Sequence, residues 1–282
     1  DGYRLEGDLY VSGRTVEGAV VFCTGWGGSR GVSQISALMA TGIVERVDCA
    51  VLDFDYSGWG RSEGPRQRLD PGREVRDARA AVSLLLQRFP TLRAVALYGI
   101  SFGGGIATYA AACDPRVAGV VSVSGYTSGE AFLRDMRPHW QFVEFEERLA
   151  RDRLTRSITG KSELVDPDEI LQRDPEAKAF NEQLKQQYPQ RVFQLDLISA
   201  DLVMEFDVLS RAPLLQNRPS LFIHAKRDLL IPWQQSEKVA EAAGGRLVVM
   251  PGVGHYDLYE GPPFIRILDE SGEFLLRIFT PS

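Results

Sequence analysis

Three Gly-x-Ser-x-Gly segments occur in this chain of 282 residues: Gly27-Gly28-Ser29-Arg30-Gly31, Gly60-Arg61-Ser62-Glu63-Gly64 and Gly99-Ile100-Ser101-Phe102-Gly103. A serine between glycines becomes a candidate nucleophile when a strand ends just before it and a helix starts just after it. The hydroxyl is then thrust above the sheet, and the glycines let the two backbones approach. Only Ser101 has that setting, with AVALYGI directly before it and FGGGIATYAAA directly after. Ser62 is followed by GPRQRLDP, which cannot be helical, and Ser29 stands four residues beyond Gly25 in an open, Gly-rich stretch.

A serine hydroxyl needs a base, and the chain holds three histidines. His139 stands beside Trp140 in a charged helical region, and His224 lies inside a predicted strand, where a hydrogen-bonded core role fits. His255, in PGVGHYDLY, follows the apolar run RLVVMPG on a glycine-flexible loop and is the expected base. Asp228, in FIHAKRDLLIP, follows another strand and is the expected orienting carboxylate. Its rivals are Asp257, two residues from His255, and Glu130, after the strand ending near Tyr126. Acyl transfer also requires two backbone N–H donors for the oxyanion. Phe102 heads the helix after the serine, where the positive end of the helix assists, and Trp26 in TGWGG is the expected second donor. The alternative for TGWGG is an ordinary glycine-rich loop.

The elements that must carry these residues are short apolar strands alternating with helical periodicity. Segments 19–25, 49–56, 94–100, 117–126, 219–225 and 246–252 read as strands buried on both faces. Between them, segments 33–47, 71–89, 102–112, 232–244 and 263–279 repeat apolar positions at three and four. Asp70-Pro71 supplies a helix cap and a favourable first-turn residue. The alternation predicts an α/β fold, a mostly parallel, doubly wound sheet covered by helices. Residues 1–126 and 210–282 form the expected core, and 127–209 a helical insertion with starts at Asp166-Pro167 and Asp174-Pro175 and a stop at Pro189. An insertion leaving a strand's carboxyl end can roof the ligand site; the alternative is a peripheral decoration. Its aromatics Phe132, Trp140, Phe142 and Phe145 stand at near-helical spacing, either as the lining of an acyl pocket or as core.

The net charge of −6, without a basic run, argues against nucleic acid or an anionic membrane as partner. No stretch reaches the roughly 18 to 20 apolar residues of a membrane span. DGYRLEGDLY lacks the basic and apolar regions of a signal peptide, so a cytoplasmic location is expected, although a chain starting at Asp1 leaves a removed signal open. Cys23, Cys49 and Cys113 cannot all pair and have no zinc-like spacing, so reduced, buried thiols are expected.

Taken together, DGYRLEGDLY, TGWGGS, DFDYSGWGRSEG, YGISFGGG, HAKRDLLIP and GVGHYD resemble the α/β-hydrolase superfamily, nearest its dienelactone-hydrolase-like and prolyl-oligopeptidase-related serine hydrolases. The resemblance implies a triad of Ser101, Asp228 and His255, an oxyanion hole at Trp26 and Phe102, and a cap between the sixth and seventh strands. It also implies that Asp55, Gly58, Gly60 and Ser62 form a structural turn. Thr24 departs from the pattern, since many relatives carry histidine there.

The expected activity is hydrolysis of a small-molecule ester, thioester or lactone through an acyl-enzyme on Ser101, with Trp140, Phe142 and Phe145 toward the substrate and no metal or organic cofactor. Carbon–carbon bond hydrolysis or acyl transfer by the same triad, and a non-catalytic binding module, are the alternatives. A homo-oligomer remains open.

Overall fold

The computed structural model describes residues 2–13, 16–27, 34–171, 174–187 and 194–280; Gly28, Ser29, Gly31 and Pro189 lie outside the described residues. The strands are β1 (Gly7–Val11), β2 (Gly18–Cys23), β3 (Ala50–Phe54), β4 (Ala94–Ile100), β5 (Val117–Val123), β6 (Leu164–Val165), β7 (Leu195–Asp196), β8 (Ser220–Ala225) and β9 (Arg246–Met250). The helices are α1 (Ile35–Val44), α2 (Pro71–Arg88), α3 (Phe102–Cys113), α4 (Gly129–Asp135), α5 (His139–Thr159), α6 (Pro167–Ile170), α7 (Pro175–Gln187), α8 (Ile198–Met204), α9 (Trp233–Ala243) and α10 (Gly261–Phe279).

Seven strands form one sheet in the order β1-β3-β2-β4-β5-β8-β9. Only β1 runs antiparallel to its neighbour. The central strands read as unbroken apolar runs because both faces are covered. Ala19, Val21 and Cys23 of β2 and Val95 and Leu97 of β4 enter the core under α2, α3 and α9. Val20, Phe22, Ala96, Tyr98 and Ile100 point the other way, against α1 and α10. The parallel pairing of these strands puts the carboxyl ends of β2, β4, β5, β8 and β9 on the same edge.

The interval between β5 and β8 carries α4 to α8, with β6 and β7 as a two-residue antiparallel pair apart from the main sheet. Counted in this sheet, the insertion therefore follows the fifth strand and precedes the sixth, one place earlier than the resemblance implies, because a single strand, β1, precedes β2. The Asp-Pro starts form as read. Asp70 accepts from the Arg73 amide at 2.9 Å, Asp166 from Asp168 at 2.8 Å, and Asp174 from Glu176 at 2.8 Å. Each satisfies an N–H that the first helical turn leaves orphaned. Cys23 and Cys49 are buried free thiols, whereas Cys113 is only half-buried, at the last position of α3.

One core residue contradicts its own chemistry. Glu74, in the first turn of α2, is 3% exposed, and neither carboxyl oxygen has a hydrogen-bond partner among the described residues. Burial foremost, then the charges of Asp77 and Asp70, push its pKa well above the usual carboxylate range, with Arg73 opposing. The folded chain thus keeps a proton that the unfolded chain has already released. Stability accordingly falls as pH rises between the two pKa values, by up to about 1.4 kcal/mol per pH unit. Glu74→Gln removes that fall. Urea midpoints of variant and wild type should nearly coincide at the acid end and separate steadily toward pH 8 in favour of the variant. A constant gap would mean that Glu74 is ionised in the fold.

Candidate active site

β4 ends at Ile100 and α3 starts at Phe102, so Ser101 must turn the chain alone. It does so at φ 52°, ψ −123°. Such a conformation costs a non-glycine residue about 1–3 kcal/mol and survives only where the surroundings enforce it. Here the Ser101 amide donates to the Val123 carbonyl of β5 at 2.7 Å, and the Gly104 amide donates to the Ser101 carbonyl at 2.9 Å. The flanking glycines are required by close approach. A Cβ at Gly99 would stand 2.0 Å from the Gly103 carbonyl oxygen, and one at Gly103 would stand 2.1 Å from that of Cys23. The side chain of Ser101 is left half-buried, open to the sheet edge.

Ser62, by contrast, is fully buried. Its hydroxyl donates to the Asp55 carbonyl at 2.6 Å and accepts from the Glu6 amide at 2.9 Å. Gly58 and Gly60, at φ 87° and 49°, complete the turn in left-handed conformations. The Asp55 carboxylate accepts from the Arg61 amide at 3.0 Å.

The loop after β9 brings His255 to the nucleophile, with Nε2 3.0 Å from the Ser101 hydroxyl oxygen. Its Nδ1 lies 2.6 Å from Oδ2 of Asp228, in the turn after β8. The other oxygen, Oδ1, accepts from the amides of Leu230 and Ile231 at 3.0 and 2.7 Å. Burial opposes the charged form of Asp228, but the imidazoles of His255 and His224 outweigh it and hold the carboxyl well below its usual range. The rival carboxylates are engaged elsewhere. Asp257 accepts from the Gly254 amide at 2.8 Å and so braces the loop that carries His255, and Glu130 pairs with Arg134 along α4.

The loop after β2 passes beside the serine. A methyl at Gly25 would lie 3.5 Å from the Ser101 Cβ. Trp26 follows, half-buried, its ring edge-on to Phe102 with centroids 5.4 Å apart. Phe102 in turn stacks on Tyr126 at 5.2 Å, and Phe132 meets Trp26, Phe102 and Tyr126 at 6.3, 6.0 and 5.1 Å.

Phe132 is the insertion aromatic that enters this cluster, and none of the ring contacts places the other three in it. Trp140 is 60% exposed, while Phe142 and Phe145 are buried beneath the Arg134 and Arg137 guanidinium groups. The reason is helical phase: residues 142, 145 and 149 of α5 share the stripe that faces the rest of the insertion, and residue 140 points away from it. The insertion does reach the histidine loop, where Phe180 of α7 stacks on Tyr256 at 4.3 Å.

Two neighbours escaped the sequence reading. His224 is fully buried, as a core histidine should be, yet its Nε2 also stands 3.4 Å from Oδ2 of Asp228. The i, i+4 spacing of the two residues within a strand and turn carried no such signal. Tyr259 closes a 3-10 turn after His255 and brings its hydroxyl 3.5 Å from Nε2. The His-x-x-x-Tyr spacing did not show that contact, because the segment closes as a 3-10 turn rather than a stretch of α-helix.

A mostly parallel sheet with a serine on its strand-to-helix turn, met by a histidine and an aspartate from later strand ends, defines the α/β-hydrolase class. Residues 18–262 match the family model of the alpha/beta hydrolase fold, and the chain belongs to that family of hydrolases. Among curated relatives it is similar to the thiohydrolase aneE of Aspergillus aculeatus, 33% identical over 153 residues, 53% of this chain and 46% of that protein. It is also similar to the quorum-quenching protein AidA of Acinetobacter baumannii, 27% identical over 272 residues, 92% and 86% of the two chains. The crystal structure of the alpha/beta hydrolase GrgF from Penicillium sp. sh18 shares the fold with a TM-score of 0.77 at 18% identity, over 98% of this chain and 99% of that one. No described helix is long and apolar enough to cross a membrane.

Proposed function

We infer that the protein is a serine hydrolase cleaving a small-molecule carboxylic ester, thioester or lactone through an acyl-enzyme on Ser101. The observation that carries this reading is the unbroken chain from the half-buried Ser101 hydroxyl to His255 at 3.0 Å and on to Asp228 at 2.6 Å. Nucleophile, base and orienting group are already within hydrogen-bond reach. Ser101 attacks the carbonyl carbon as His255 takes its proton, and the Asp228 carboxylate stabilises the imidazolium. The backbone amides of Trp26 and Phe102 donate to the oxyanion, and the one at Phe102 adds the positive end of α3. Nε2 then returns the proton to the leaving group, and a water activated by the same imidazole releases the acyl group. The thiohydrolase among the relatives supports a hydrolytic reading.

The test is labelling by a fluorophosphonate probe followed by a screen of esters graded in acyl length, with thioester, lactone and amide controls. Labelling of the wild type that disappears in Ser101→Ala, with turnover of at least one acyl class, is the expected result. An unlabelled wild type would leave a binding module.

A further inference from the structure

We propose that Tyr259 is a further catalytic residue whose phenol hydroxyl donates to the leaving-group oxygen, fitting the site to oxygen esters with an alkyl leaving group, including lactones, rather than to thioesters. This rests on the serine-hydrolase reading above and narrows its substrate class.

The geometry begins with a count of hydrogens. His255 Nδ1 faces the Asp228 carboxylate, an acceptor, and therefore carries the N–H. Nε2 of the neutral imidazole is then an acceptor, and it receives the single hydrogen of the Ser101 hydroxyl at 3.0 Å. The Tyr259 hydroxyl stands on the same side of the ring as the serine, 3.5 Å from Nε2. Nε2 carries no hydrogen, and its one lone pair already takes that of Ser101, so the phenol can only donate toward it, as the second and longer contact. Its proton is secure: burial first, then Tyr256, Asp228 and Tyr98, hold its pKa well above the ordinary phenol value. The ring is set edge-on to the imidazole, with centroids 6.0 Å apart and planes at 81°.

Attack changes both acceptors at once. The Ser101 oxygen forms its bond to the carbonyl carbon and loses its proton to Nε2, which becomes a donor. The phenol hydrogen is thereby freed at the place where the leaving oxygen must lie to collect the proton from Nε2. When the bond between carbon and leaving oxygen breaks, the electron pair stays on that oxygen, His255 delivers the proton, and Tyr259 keeps its own while donating a hydrogen bond. No other reactant is needed.

The value of that hydrogen bond follows the basicity of the oxygen it meets. An alkoxide approaches the basicity of hydroxide, whose parent water has a pKa of about 15.7. A phenolate belongs near 10 and a thiolate near 8.5, and sulfur is a weak acceptor. The donor therefore matters most for alkyl esters and lactones.

Tyr259→Phe, assayed on an ethyl ester, a p-nitrophenyl ester and a thioester of one acyl chain, tests the proposal. The expected result is a loss in kcat/KM of about 100-fold on the ethyl ester, as for removal of one transition-state donor, against about threefold on the other two. Equal losses on all three, or no loss on the ethyl ester, would overturn it. The labelling rate with the fluorophosphonate, which carries a good leaving group, is measured in parallel: retention in Tyr259→Phe shows that Ser101 and His255 remain assembled. A wild type that does not label would defeat the serine-hydrolase reading instead.

Discussion

Ser101→Ala lowers kcat for a p-nitrophenyl ester by about 10⁶-fold, the loss typical of a nucleophile whose partners act as one unit. His255 and Asp228 remain in place in the variant but have no hydroxyl to activate, so only oxyanion stabilisation and binding survive, about 10³- to 10⁴-fold above water. The fold should persist. The turn is held by the Ser101 amide on Val123 and by its carbonyl under Gly104, not by the side chain. Alanine inherits the same φ of 52° and therefore the same backbone strain. Single-turnover kinetics on purified variant, alongside its thermal midpoint, separates the two effects. A loss below about 100-fold with an unchanged midpoint would exclude an acyl-enzyme on this serine.

Asp228→Asn should lower kcat by about 10⁴-fold while leaving the geometry intact. Three N–H groups converge on this carboxylate. Leu230 and Ile231 donate to Oδ1 and His255 Nδ1 reaches Oδ2 at 2.6 Å, while His224 Nε2, bonded to the Ile231 carbonyl at 2.9 Å, stands 3.4 Å from Oδ2. An asparagine has only one acceptor oxygen, and the two backbone amides claim it. Its NH₂ group then faces His255, where a donor can be accommodated only if Nδ1 gives up its hydrogen. The proton moves to Nε2, and the base toward Ser101 becomes a donor. Steady-state kcat across pH 6 to 9 checks this. A loss of less than tenfold would mean that Asp228 does not orient the base.

How far the chain discloses itself depends on the range of the interaction concerned. Strand and helix boundaries around Ser101 were readable because AVALYGI is buried on both faces and FGGGIATYAAA cannot extend a strand. These are local consequences of burial and backbone freedom. His255 was readable by elimination among three histidines, and the proposed acid Asp228 by its place after a strand. In both cases the alternation of β and α already implied one functional edge.

Phe132 was not distinguishable from Phe142 and Phe145, since all three lie on apolar helical stripes. Periodicity reports that a face is covered, not which distant face covers it. The seating of α4 against Trp26 and Phe102, and of α5 against its neighbours within the insertion, settled that choice. His224 beside Asp228 and Tyr259 beside His255 Nε2 share the same character. Each is an encounter between side chains carried by separate turns or layers, and its geometry exists only once the sheet, its helices and the insertion have packed together.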